Sequence, residues 1–203
     1  MRRTVATAFL LAGCALAGAF RAWPARAETA VVQPADPAQI EAARTSAQEL
    51  GAALKDALTQ ALKAQGALGA LQVCHEAAPT IASGVSAKSE MQTGRTALRV
   101  RNPANAPDDY ERAQLEDFLA RQANGEDATT LESAAILEIN GVKEFRWMKA
   151  IPMGEMCMQC HGTAVAPEVL AEINTLYPED QATGFKPGDI RGAFTVRKVL
   201  SSP

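Results

Sequence analysis

The sequence predicts an α+β protein, and three observations carry that prediction. Apolar residues recur every three or four positions between Gln39 and Gln65, two alternating segments meet at Asn140-Gly141, and a last alternating run spans Ile190 to Leu200. A long N-terminal helical region followed by about four antiparallel strands, with helices between them, belongs to this class and disfavours an all-helical core.

The chain opens with Arg2-Arg3, an apolar run from Val5 to Phe20 and an Ala25-Arg26-Ala27 cleavage pattern, which read together as a signal peptide over residues 1–27. The apolar run is about 16 residues long, short of the roughly 20 that span a bilayer, so no integral span is expected after cleavage. Leu11-Ala12-Gly13-Cys14 resembles a lipobox, but Ala15 to Phe20 stay apolar, so a cleaved periplasmic chain is preferred over a lipid anchor at Cys14. Residues 28–38 read as a leader. Asp36 is placed to cap a helix whose first position suits Pro37.

In that helix Ile40, Ala43, Ala47, Leu50, Leu54, Leu58 and Leu62 form one apolar face, suited to packing or to a homodimer contact. Gly66 and Gly69 loosen it, and a second helix resumes at Leu68 and ends near Pro79. Thr96 to Val100 alternates as a strand does, whereas the prolines and asparagines of 101–107 exclude regular structure. A surface helix follows over 108–122. Strands over 134–139 and 142–151 are joined by Asn140-Gly141, the strongest short hairpin signal a sequence gives. A short helix over 167–176, a Gly184-to-Gly188 turn and the strand over 190–200 complete a single domain spanning residues 39–200.

The formal net charge is −3, and loss of residues 1–27 removes four arginines and no acid, leaving 16 basic against 23 acidic residues, or −7. That sign offers no electrostatic footprint for nucleic acid or an anionic membrane. The 176 residues left after cleavage suffice for one core. Export also leaves three cysteines, Cys74, Cys157 and Cys160, and an odd number cannot all pair as disulfides.

Directly after the second hairpin strand stands Cys157-Met158-Gln159-Cys160-His161. Covalent haem attachment requires this spacing, because two thiols reach the vinyl groups on one porphyrin edge while the adjacent imidazole meets the iron. Cys157 and Cys160 are the expected thioether sites for one covalent haem c, and His161 is the expected proximal ligand. Two other chemistries use the same residues: a zinc site with a fourth ligand, and a redox disulfide. The adjoining histidine and the export signal favour haem.

A second axial ligand has several candidates. Met156 and Met158 flank the motif too closely to reach the opposite haem face, and Met148 alternates within a strand as a core residue does. Cys74 is the odd cysteine and stands on an apolar helix beside Leu71 and Ala78, although a small buried hydrophobe is its plain alternative role. His75 is the rival. Neighbours on a helix point about 100° apart, so only one of the pair faces the iron. Arg95, Arg99, Arg101 and Arg191 are candidate partners for the haem propionates, or else ordinary solvated side chains.

Four ordered blocks carry a family resemblance: Val73 to Pro79, Gly94 to Pro107, Met156 to Gly162 and Gly184 to Phe194. The chain resembles the exported single-haem c-type proteins with a PAS-like sensor fold, long catalogued as a domain of unknown function. The resemblance covers about residues 40–200. It implies a PAS-like antiparallel sheet and iron held between the motif histidine and an N-terminal cysteine, here His161 and Cys74. His75 departs from the small polar residue expected there and keeps a His/His arrangement open.

Thiolate ligation holds a haem potential low, and its loosening on reduction would open a site for CO or NO. The expected function is therefore a periplasmic redox or gas sensor, with a low-potential electron-transfer cytochrome as the alternative. With no kinase or cyclase segment after Leu200, the expected partner is a separate periplasmic redox or signalling protein. No enzyme is expected, because apart from His75 no general acid or base is placed for one.

Overall fold

A computed structural model describes residues 31–139 and 141–201 of the chain; the expected signal peptide and Cys14 lie outside them. Asp36 caps α1 (Pro37–Gln72) as expected, its carboxylate accepting the Ala38 N–H at 2.7 Å and Gln39 closing the capping box. The helix runs past the expected end at Gln65. Gly66 absorbs a kink at φ 69° and ψ −163°, a backbone conformation that favours glycine, and the helix resumes beyond it.

Where the sequence suggests a helix ending near Pro79, the chain instead widens into a π-helical turn (Val73–Ala77) and continues as α2 (Ala78–Ser89). Proline has no N–H and its ring crowds the preceding turn, so a wider turn ahead of Pro79 lets the helix continue through it. The Ala78 N–H bonds back to the Val73 carbonyl across that turn. Cys74 and His75 both ride on it.

Five strands form one antiparallel sheet in the order β1 (Val31–Gln33), β3 (Glu132–Ile139), β4 (Val142–Pro152), β5 (Ile190–Ser201) and β2 (Gln92–Thr96). The expected hairpin is present, with Ile139 opposite Val142 and Gly141 at φ 76°. The α+β class and the long N-terminal helical region hold. Two strand expectations do not. Residues 31–33, read as leader, pair with β3 as a short edge strand. The strand expected over 96–100 lies at 92–96, because beyond Thr96 the chain leaves β5 and Arg99 and Arg101 anchor it to the 180–183 segment.

Helices cover both faces of the sheet. On one, Ala43 and Ala47 of α1 pack on Phe145, Trp147 and Val196, and Gly51 lets the helix approach the Phe194 ring closely enough that a Cβ would stand 3.0 Å from it. On the other, Leu115 and Phe118 of α3 (Asp109–Ala123) pack on Met148, Ala150 and Ala193. Alternate residues of β4 thus serve opposite cores, so the strand's middle reads as a continuous buried run. Trp147, Phe118, Phe145 and Leu50 are at most 1% exposed. Each such burial contributes about 1.5–3 kcal/mol. Arg146, buried on the α3 face, is neutralised by Asp108, Glu111 and Glu144 at 2.6, 3.4 and 3.2 Å.

Candidate haem site

At the end of the sheet where β4 stops and β5 starts, residues of the C-terminal half of α1 and of both strands line a cavity. The haem motif forms a single 3-10 turn (Glu155–Cys157) and a single α turn, α4 (Met158–His161), on its wall. The helix α5 (Pro167–Leu176) backs the motif, with Val169 and Ile173 packing on Leu71 and Cys160. Leu58, Leu62, Leu71, Ile151 and Met153 supply apolar walls, and Cys74, Cys157, Cys160 and His161 all line the same space. The space between these walls is about 1130 Å³ when the open solvent at its mouth is counted.

The imidazole of His161 is held by backbone. Its Nδ1 lies 2.6 Å from the Ala182 carbonyl oxygen, a contact that requires Nδ1 to carry the proton and donate it. Arg191 Nε, 3.3 Å from the same nitrogen, is then in packing contact with a fellow donor, and Arg191 bonds instead from Nη1 to the Arg99 carbonyl at 3.1 Å. Burial first, and then the charges of Arg191 and Arg101, hold His161 well below the ordinary imidazole pKa, so the ring is neutral. A neutral ring protonated at Nδ1 presents the Nε2 lone pair to a metal.

The strap that positions Ala182 is itself clamped. The Arg101 guanidinium forms a buried fork with Asp180, at 2.8 Å and 3.2 Å, and donates to the Cys160 and Ala182 carbonyls at 2.7 and 3.2 Å. Gly184 and Phe185 donate to the Gly162 and His161 carbonyls. One arginine thus ties the motif, the strap and the segment after β2 together.

Cys74, on the π-helical turn, lines the same cavity as the motif. Burial pushes its thiol pKa up, while Arg95, Arg101 and Arg191 pull it back. His75, its neighbour, is not on the cavity wall. Its ring packs edge-on against Tyr177 at 5.3 Å between centroids, and its Nδ1 is buried without a hydrogen-bond partner. The methionines sort in the same way: Met148 is core, whereas Met153 and Met156 line the cavity. The three thiols are unbridged. Among the described residues, no three His, Cys, Asp or Glu side chains converge as a metal-ion site.

The donor set fits a c-type haem: the two motif thiols, the motif imidazole and a third thiol from a distant helical turn line one cavity together with apolar side chains. Over residues 27–198 the chain matches the model of the Tll0287-like family. The chain belongs to the Tll0287-like family. A solved structure, described as the cyanobacterial heme-protein Tll0287, superimposes with a TM-score of 0.61 at 21% identity, covering 83% of this chain and 99% of that one. At that identity the likeness shows the shared fold. None of the curated proteins matches.

The Tll0287-like site also contains residues that sequence reasoning passed over. Asp180 and Tyr177 have no motif to announce them, and the Ala182 carbonyl is backbone, which any residue could supply. Of the four candidate arginines, Arg95, Arg101 and Arg191 line the cavity. Arg99 does not. It donates to the Gln181 and Thr183 carbonyls and stacks over Phe185 at 4.0 Å.

Proposed function

We propose that this member of the Tll0287-like family carries one haem c attached through Cys157 and Cys160, with His161 and Cys74 as axial ligands, and acts as an exported redox or gas sensor without enzymatic activity. The observation that carries the reading is the cavity lined by all four residues, two elements distant in sequence meeting across an apolar space. The description of the solved relative as a heme-protein supports it. So does the Nδ1–H bond of His161, which leaves Nε2 for iron.

When bound, the haem supplies a one-electron iron couple and, if an axial ligand leaves, a site for a diatomic gas. The chain's own residues set the conditions for both. Cys74, as a thiolate, would stabilise the oxidised state and hold the potential low. Its seat on a π-helical turn, a feature frequent at functional sites, makes it the displaceable ligand, whereas His161 is fixed by the Ala182 strap. The apolar walls exclude water from both. The electron-carrier reading, a low-potential periplasmic cytochrome, rests on the same donor set and differs in what the bound state is passed to. Among the described residues no helix is long and apolar enough to cross a membrane.

Optical and EPR spectra of the purified protein and of Cys74→Ser test the ligation. A low-spin ferric thiolate signature lost in Cys74→Ser supports it, and an unchanged spectrum moves the distal ligand to His75 or a methionine. Ferrous protein with no CO-shifted Soret band at any attainable CO concentration would eliminate the gas-sensing role.

A further inference from the structure

The cavity contains more positive charge than its own carboxylates satisfy. Three guanidinium groups line it, from Arg95 on β2, Arg101 after it and Arg191 on β5. Arg101 is fully employed by Asp180 and by the carbonyls of Cys160 and Ala182. Arg191 spends one N–H on the Arg99 carbonyl, and among the described residues it makes no ion pair. Arg95 makes neither an ion pair nor a side-chain hydrogen bond with any described residue. Half-buried guanidinium groups that lack a carboxylate partner are costly, even though Arg191 also lies 5.5 Å from the Phe185 ring centre, and two of them lining one ligand cavity specify an anionic ligand edge.

We propose that Arg95 and Arg191 form a two-point clamp for the two carboxylates of the haem, one guanidinium to each, while Arg99 and Arg101 take no part in holding them. This rests on the haem reading above and sharpens it. Arg95 stands on β2 and Arg191 on β5, so these two strands would hold the carboxylates, and Cys157 and Cys160 would hold the thioether side. A guanidinium fork matches a carboxylate in geometry as well as charge, so lysine at either position would be a poor replacement. Because Arg191 also packs on His161 Nδ1 at 3.3 Å, its carboxylate would be the one nearest the proximal ligand.

The test compares Arg95→Gln, Arg191→Gln and, as a control on the exposed face of α3, Arg112→Gln in the full chain, purified with haem. A pyridine haemochrome assay first measures haem content, and redox titration then gives the midpoint potential. Removing a positive charge beside the haem favours the oxidised state. Each clamp variant should therefore lower the reduction equilibrium about tenfold or more, 59 mV for one electron, with Arg112→Gln close to wild type. Arg95→Lys and Arg191→Lys should restore part of the potential but not the infrared carboxylate bands of the wild type. Equal shifts for all three glutamine variants, or none for Arg95→Gln and Arg191→Gln, would overturn the clamp while leaving the haem reading standing. Wild-type protein without haemochrome would overturn both. Should a glutamine variant fail to fold, its lysine counterpart decides: wild-type potential together with unchanged carboxylate bands refutes the fork.

Discussion

Asp180→Asn removes one charge from the buried strap clamp while keeping its shape. The side chains of Arg101 and Asp180 are 7% and 4% exposed, with Nε and Oδ1 at 2.8 Å. Asp180 Oδ1 also accepts the Ala182 N–H at 3.1 Å, so one carboxylate fixes both the arginine and the residue whose carbonyl receives the His161 proton. Breaking a buried pair by removing one partner's charge costs about 3–5 kcal/mol. Asparagine keeps one acceptor oxygen, which places the expected loss near about 3 kcal/mol. For a chain of this size each kcal/mol moves Tm by about 2–4 °C, so the midpoint should fall by roughly 6–12 °C. Urea unfolding and thermal melts followed by circular dichroism measure this at matched haem content, since bound ligand adds its own stabilisation. Glu116→Gln, on the exposed face of α3, is the control and should stay within about 0.5 kcal/mol. A loss below about 1 kcal/mol for Asp180→Asn, the level of an exposed ion pair, would refute the strap argument.

Phe118→Ala should cost about 3–5 kcal/mol in urea unfolding, because Phe118 is 0% exposed against Leu115, Met148 and Ala150; a loss under 1 kcal/mol on the same scale would place α3 outside the core. Gly192→Ala directs a Cβ into the Thr96 carbonyl oxygen, which belongs to backbone and cannot swing aside, so a loss of about 1–3 kcal/mol is expected together with disturbed haem spectra. Asp108 gives a pH signature. Burial opposes its ionisation, but the Glu111 N–H and the Arg146 guanidinium outweigh burial and hold its carboxyl below the usual carboxylate pKa. Its stabilising contribution is therefore complete above the unfolded carboxyl pKa of about 3.9 and is lost as pH falls through the lower folded value. Asp108→Asn should flatten the acid limb of a urea-midpoint profile; an acid limb identical to wild type would remove Asp108 from that role.

Much of the architecture was legible from the chain because the signals are local. Asp36 before Pro37, Asp108 three residues before Glu111, and Asn140-Gly141 each specify a cap or a turn within a few residues, and each element formed where that chemistry lies. Expectations went astray where distant groups decide. The alternation of 96–100 lost to Arg99 and Arg101, which reach across to the 180–183 segment. Residues 31–33 carry too short a pattern to announce a strand that exists only because the free edge of β3 accepts it.

The same division runs through the site. Five contiguous residues, Cys157 to His161, carry the expectation of haem attachment by themselves, because the spacing that thioether bonding and a proximal imidazole require lies within one stretch of chain. Sequence counting also singled out Cys74 as the odd thiol. Only the tertiary structure decided that Cys74 rather than His75 faces the cavity, since which neighbour on a helix points inward depends on a π-helical turn that propensity does not encode. It likewise separated four equivalent-looking arginines into a clamp on the strap, a stacking partner for Phe185 and two unpaired charges on the cavity wall. A guanidinium acquires its role from the carboxylate or carbonyl that folding brings to it, and sequence neighbours do not reveal that partner.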